Sequence, residues 1–180
     1  MKGSLRPRAD DRLAMAVAHR LTERDRSIWW SERHCAGQFD RIALPDGLGE
    51  WEESGNRIVF RLEYDRSTEA LDRLEKKLKS YEDLQAASGL AYWICFCFRD
   101  PRREAGARRV LAQATVPVAS AALAPTQRPH EAIWAPLGPE GVRRLRLAEL
   151  ATVPIPAESE ERIAEAQGYR RRAAEQWRRA

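Results

Sequence analysis

Residues 56–66 read NRIVFRLEYDR, and this alternation decides the fold. Ile58, Phe60, Leu62 and Tyr64 recur at every second position, with Val59, Arg61, Glu63 and Asp65 between them. That is the period of a pleated strand with one face on a core and two acids side by side on the other. Just before it, Ser54-Gly55 supplies turn chemistry, and Ile42-Ala43-Leu44-Pro45-Asp46-Gly47 suggests a partner strand with a proline near its exposed end. A hairpin turning on Ser54-Gly55 sets Asp46 opposite Glu63, whereas one turning on Gly55-Asn56 sets Asp46 opposite Asp65. Either register gathers the three carboxylates.

Downstream, Ser67 is placed as the N-cap of a helix from Thr68 to about Ala87, with Leu71, Leu74, Leu78 and Tyr81 on one stripe. Ala91 to Phe98, AYWICFCF, is too short for another long helix and rich in aromatics, so it reads as a central strand buried on both faces. Pro101 opens a helix to about Ala114, and a strand is expected around Val116 and Val118. Pro125 to Pro139 reads mostly as loop, anchored by Ile133 and Trp134. Upstream, Leu13, Val17 and Leu21 predict a helix from Ala9 to about Asp25, followed by the apolar patch Ile28-Trp29-Trp30. A last helix is predicted from about Ala157 to Ala180, interrupted by Gly168. The expected organisation is a flexible segment over 1–8, one domain over 9–153 and a basic C-terminal helix over 154–180.

A chain of 180 residues accommodates one domain with a real core. No apolar run reaches membrane-spanning length, and Asp10 and Asp11 interrupt any secretory leader, so the expected location is the cytoplasm. Cys95 and Cys97 share one face of an apolar segment, where thiols behave as small core hydrophobes. Together with Cys35 and scattered His19, His34 and His130 they lack zinc-ligand spacing. The formal charge is +4, and GYRRRAAEQWRRA at 168–180 holds five arginines against the single Glu175. That stretch is either a solvated helical tail or a phosphate-contacting one.

Carboxylates facing one another on adjoining strands repel, so such a cluster calls for a cation or a shared proton. Mg²⁺ or Mn²⁺ would suit Asp46, Glu63 and Asp65 as ligands, polarising a phosphate and activating water for phosphodiester cleavage. The alternative is an ion-pair network in which Arg61, Arg66 or Lys77 neutralises the acids. At ~100° per residue, Lys77 alone of the nearby lysines borders the buried stripe, either reaching toward the preceding strand or snorkelling at the stripe's edge.

FRLEYDRSTE at 60–69, followed by Lys77-Leu78 and Tyr81, resembles the hallmark block of the replication-relaxation family, and Pro45-Asp46-Gly47-Leu48-Gly49 is similar to its other marker. Glu32-Arg33, Arg102-Arg103-Glu104-Ala105 and LRLAEL at 145–150 also look like family positions. The resemblance, to the actinobacterial plasmid and mobile-element type, implies a part in replication and DNA relaxation. Many members carry an N-terminal winged helix-turn-helix, whereas this chain is expected to begin almost directly at the nuclease-like part.

The element order also looks like the restriction-endonuclease-like superfamily, which implies an α/β (α+β) fold with an αβββαβ core, a mixed sheet flanked by helices, and a C-terminal helix. By that resemblance Asp46, Glu63, Asp65 and Lys77 are the catalytic candidates, with Asp65 standing where the signature lysine would be and Lys77 substituting from the helix. Arg66, Arg170, Arg171, Arg172, Arg178 and Arg179 are the candidate contacts to double-stranded DNA, and plasmid replication or mobilisation proteins are candidate partners.

Three functions compete. The first is a DNA-binding accessory protein with a Mg²⁺-dependent nicking site. The second is a non-cleaving module that docks on DNA or a replication protein through the C-terminal arginines with Tyr169 and Trp177. The third is a regulator reading DNA with the helix from Ala9 to Asp25, disfavoured because no second helix with a short turn precedes it.

Overall fold

The computed structural model describes residues 27–32, 35, 43–65, 70–89, 91–124, 126–138 and 143–154. The expected helices at Ala9–Asp25 and Ala157–Ala180, and the segment 1–8, lie outside the described residues. Six strands form one mixed sheet in chain order: β1 (Ser27–Ser31), β2 (Gly47–Glu53), β3 (Asn56–Asp65), β4 (Trp93–Phe98), β5 (Val118–Ala122) and β6 (Ala135–Pro136). Neighbours run antiparallel from β1 to β3, parallel from β3 through β4 to β5, and antiparallel at β6. Helix α1 (Asp72–Ser88) links β3 to β4, helix α2 (Pro101–Leu111) links β4 to β5, and a 3-10 turn occupies Ala148–Thr152.

The hairpin is set by Ser54 and Gly55, whose φ values of 53° and 82° give a two-residue turn with both central residues left-handed. Glu53 therefore pairs with Asn56 and Gly47 with Leu62. This is the Ser54-Gly55 register. The partner strand differs from the expected one: it begins at Gly47, and Ala43–Pro45 is irregular. Pro45 has no amide hydrogen to give a ladder, so pairing starts only beyond it.

The sheet separates two cores, and the alternation along β4 serves both. Trp93, Cys95 and Cys97 join Trp51, Ile58, Phe60 and Leu62 against Trp134, Leu147 and Leu150. Ile94, Phe96 and Phe98 join Leu74, Leu78, Tyr81 and Leu84 of α1 and Ala107 and Leu111 of α2. All six residues of β4 are buried, the two-sided strand that AYWICFCF implies. At about 1.5–3 kcal/mol for each large apolar side chain withdrawn from water, this strand alone contributes a large part of the favourable burial. Cys95 and Cys97 are free, buried thiols, and burial pushes that of Cys97 up to about 12.

Helix α1 starts later than expected, at Asp72 with Leu71 as its N-cap and no side-chain cap bond, while Ser67 lies outside the described residues. Helix α2 has the start its sequence encodes: the Asp100 side chain accepts the Arg103 N–H at 2.8 Å, and Pro101 follows where no amide hydrogen is needed. It ends at Leu111 instead of Ala114, and β5 begins at Val118 and runs to Ala122. Within the Pro-rich stretch, Ile133 and Trp134 are buried, and β6 follows as a two-residue strand.

The glycines of Pro45-Asp46-Gly47-Leu48-Gly49 are packing devices. A Cβ on Gly47 would stand 1.9 Å from the Trp29 ring, and one on Gly49 would stand 2.4 Å from the Phe60 ring. Each glycine leaves room for an aromatic ring lying across β2. Gly47→Ala is expected to cost about 1–3 kcal/mol through overpacking. Urea unfolding measures it, and an unchanged midpoint with an unchanged slope would contradict the packing role.

Candidate functional site

Strand β3 carries its charges into the protein. The face bearing Arg61, Glu63 and Asp65 is covered by helices α1 and α2, and all three residues are buried. An alternating strand with one solvated face is therefore not what forms here. The helices that follow β3 and β4 pack back on the same face, as crossover connections between parallel strands do. Glu63 and Asp65 find charged partners on those helices, and Arg61 lies between the rings of Tyr81 and Tyr92.

Glu63 is 2 % exposed. Lys77, from α1, donates to its Oε2 at 2.5 Å, and the Tyr81 hydroxyl donates to Oε1. Burial pushes the Glu63 carboxyl up to about 7; Lys77 acts in the opposite direction, and the Asp46 charge adds to the rise. The loss of hydration outweighs the ammonium beside it. Tyr81 is likewise pushed well above its ordinary value, by burial first and then by Glu63, so its hydroxyl keeps its proton and donates it in the hydrogen bond.

Asp46 stands just before β2, where the next step of the ladder would face Glu63. Its Oδ2 accepts the backbone N–H of Tyr64 at 2.7 Å, so a side chain closes the end of the hairpin where Pro45 prevents further pairing. Asp65, the last residue of β3, turns elsewhere. Arg103 in the first turn of α2 grips its Oδ2 through Nε at 3.1 Å and Nη2 at 2.8 Å. Removing one partner of such a buried pair costs about 3–5 kcal/mol because the other is left uncompensated. Arg61 lies with its guanidinium carbon 4.2 Å from the centre of the Tyr92 ring and 6.0 Å from that of Tyr81. Burial lowers its pKa while the aromatic faces favour the cation.

The structure thus brings together Asp46, Glu63 and Lys77, and assigns Asp65 to a separate pair. Lys77 reaches the strand, as helix geometry allows. Arg66, Arg170, Arg171, Arg172, Arg178 and Arg179 lie outside the described residues. The sequence alone does not single out Arg103 or the Tyr81 hydroxyl. Arg103 stands inside a stretch that resembles the family, and Tyr81 reads there only as a member of an apolar stripe.

A divalent ion fits this donor set poorly. Asp65 is engaged by a guanidinium, Glu63 by an ammonium and a phenol, and Asp46 by a backbone amide. Among the described residues no group of three His, Cys, Asp or Glu side chains could hold a metal ion. What the arrangement does is hold a buried carboxyl between an ammonium and a phenol in a closed cluster.

A second buried polar group lies on the far side of α2. Glu104 accepts from Ser120 at 2.6 Å and, through both carboxylate oxygens, from Arg144 at 2.6 and 2.8 Å. Burial acts to raise the Glu104 pKa, yet the hydrogen bonds from Arg144 and Ser120 hold it below the usual range. Arg144 also donates to the Ile133 and Ser120 carbonyls, and Arg108 to those of Ala135 and Pro136, so the network fastens the β5–β6 connection to the sheet. Nothing in the sequence marks Arg144, because its partner is forty residues away and the intervening chain is irregular.

The Glu63 shift has a sign that can be tested. Its folded pKa lies above the ordinary 4.5, so native Glu63 retains a proton that the unfolded chain releases. The associated stability is fully present below about 4.5 and is lost as pH rises through about 7. Glu63→Gln should therefore gain stability relative to the parent chain across that window. Urea midpoints of the two proteins at several pH values measure the gap, and a gap that does not change with pH would contradict the shift.

No curated protein and no solved structure gives a significant match to this chain. A family model described as replication-relaxation does match, and it covers the hairpin, Lys77, Tyr81 and all of α1. Over residues 6–92, the chain is similar to the replication-relaxation family.

Proposed function

We propose that this protein is a DNA-binding accessory in the replication or relaxation of plasmids and similar mobile elements, and that it acts by binding without cutting. The match of residues 6–92 to the replication-relaxation model supports the replication setting. The observation that carries the second half is the internal neutralisation of all three carboxylates, by the Tyr64 amide, by Lys77 with Tyr81, and by Arg103. A nuclease centre must present its acids to an ion and to the scissile phosphate, whereas Glu63 is 2 % exposed. DNA contact is assigned to cationic stretches of the sequence: the net charge is +4, and Arg170, Arg171, Arg172, Arg178 and Arg179 crowd residues 168–180. Arg66 beside the acidic block is a further candidate contact. Plasmid replication or mobilisation proteins are the natural partners of such an accessory.

One observation favours a cleaving version. Lys77 Nζ lies 2.5 Å from Glu63 Oε2, the contact a helix-borne lysine would need to serve a hairpin-borne acid. A single experiment separates the two readings. The protein is incubated with supercoiled plasmid in Mg²⁺ or Mn²⁺, alongside Asp46→Ala and Lys77→Met, and both mobility shift and conversion to relaxed circles are followed. Retardation that weakens with salt, with no conversion above the variants, is expected. Conversion that disappears in both variants would replace the binding role with a nicking one.

A further inference from the structure

Helix α2 turns one face to the outside that differs in charge from the exposed face of α1. Its buried side is Glu104, Ala107 and Leu111. At ~100° per residue, the direction opposite that side is occupied by Arg102, Gly106 and Arg109, flanked by Ala105. Arg102, Ala105 and Arg109 are exposed. The only acid within the helix, Glu104, is buried, and Asp100 is engaged as the cap of its first turn. Helix α1 has no such bias: Asp72, Glu75, Lys76, Lys79 and Asp83 mix both signs on its exposed surface, and Lys79 pairs with Asp83 at 2.9 Å.

Arginine in the first turn of a helix opposes the helix dipole. Arg103 has its reason there in Asp65. Arg102 has no ion pair among the described residues, and neither has Arg109. Gly106 adds an independent observation. Glycine inside a helix is unfavourable relative to alanine, and here internal packing does not require it. A Cβ at Gly106 would meet its nearest atoms, in Arg109 and Leu71, only at 4.0 Å. Gly106 is half-buried with the Arg109 guanidinium and the Leu71 side chain beside it, so its missing side chain keeps this stretch of α2 low between Arg102 and Arg109, residues about 10 Å apart along the helix axis.

We infer that the outward face of α2, Arg102-Ala105-Gly106-Arg109, is a contact surface for the phosphate backbone of duplex DNA. Arginine grips phosphate through a planar fork, and the small residues between let a sugar-phosphate strand lie against the helix. Arg99, just past the end of β4, is likewise exposed. Such contacts set affinity and orientation and carry no sequence preference. The inference rests on the DNA-binding reading above and names a surface that reading does not use.

The test measures binding of the full chain to two unrelated 30-base-pair duplexes by fluorescence anisotropy over a salt series, for the parent protein, Arg102→Ala/Arg109→Ala and Gly106→Ala. The double variant is expected to bind both duplexes more weakly by the same factor, and to lower the log–log salt slope by about 2, roughly 0.9 for each phosphate no longer neutralised. Gly106→Ala is expected to melt at a higher temperature yet bind less tightly, a pairing that a purely structural glycine would not give. If the parent binds DNA and both variants bind equally well with the parent's slope, this surface is overturned while the DNA-binding reading survives. If the parent does not bind duplex at all, the broader reading falls first. Affinity for poly-glutamate with none for duplex would assign the face to an acidic protein and overturn it.

Discussion

A carboxylate withdrawn from water must be answered where it lies, and Glu63 is the residue on which that requirement falls hardest. Lys77 and Tyr81 answer it from α1, one helical turn apart on the side that meets the sheet. Their contacts fix how α1 rotates on β3 and hold Leu74, Leu78 and Leu84 over the same face. Asp46 ties the open end of the hairpin to the same place through the Tyr64 amide. A polar group costs more when left half satisfied than when replaced by an apolar one, so this cluster specifies one packing and penalises its neighbours.

Charge neutralisation also joins the family-matched segment to the second half of the sheet. The match ends at residue 92, one residue before β4 begins. Asp65 belongs to the matched part, and the guanidinium that satisfies it comes from Arg103 in α2. The hairpin with α1 is therefore electrostatically incomplete without the next crossover. Glu104, on the same first turn of α2, points the other way and binds Arg144, so one turn of helix clasps both the matched segment and the β5–β6 connection.

Much of this is readable from residue order. Period-two alternation in NRIVFRLEYDR, the turn at Ser54-Gly55, the apolar run from Ala91 and the Asp100-Pro101 start are local signals, and local signals fix local geometry. The mixed α/β architecture follows from them. What escapes is long-range. Nothing in the strand pattern tells whether its charged face meets water or a helix, because a buried Arg-Glu-Asp row and a solvated one are spelled alike. That face is buried because α1 and α2 pack on it. Arg103 and Arg144 are invisible as partners in the sequence because each closes a loop of roughly forty residues, and only the folded chain brings the ends together. Angle alone puts Lys77 at the border of the buried stripe, since a helix of known phase has calculable faces, but whether it reaches the strand or snorkels past it is decided only by the packing of α1 on β3.

Glu63 and Lys77 form a coupled pair inside the protein and are not groups held open for an ion. A double-mutant cycle on Glu63→Gln and Lys77→Met, read by urea unfolding at pH 8 where the carboxylate is ionised, measures that coupling most directly. An interaction energy above about 1 kcal/mol is expected, the range of residues in direct contact within one network. Additivity within about 0.3 kcal/mol, the behaviour of independent sites, would contradict it.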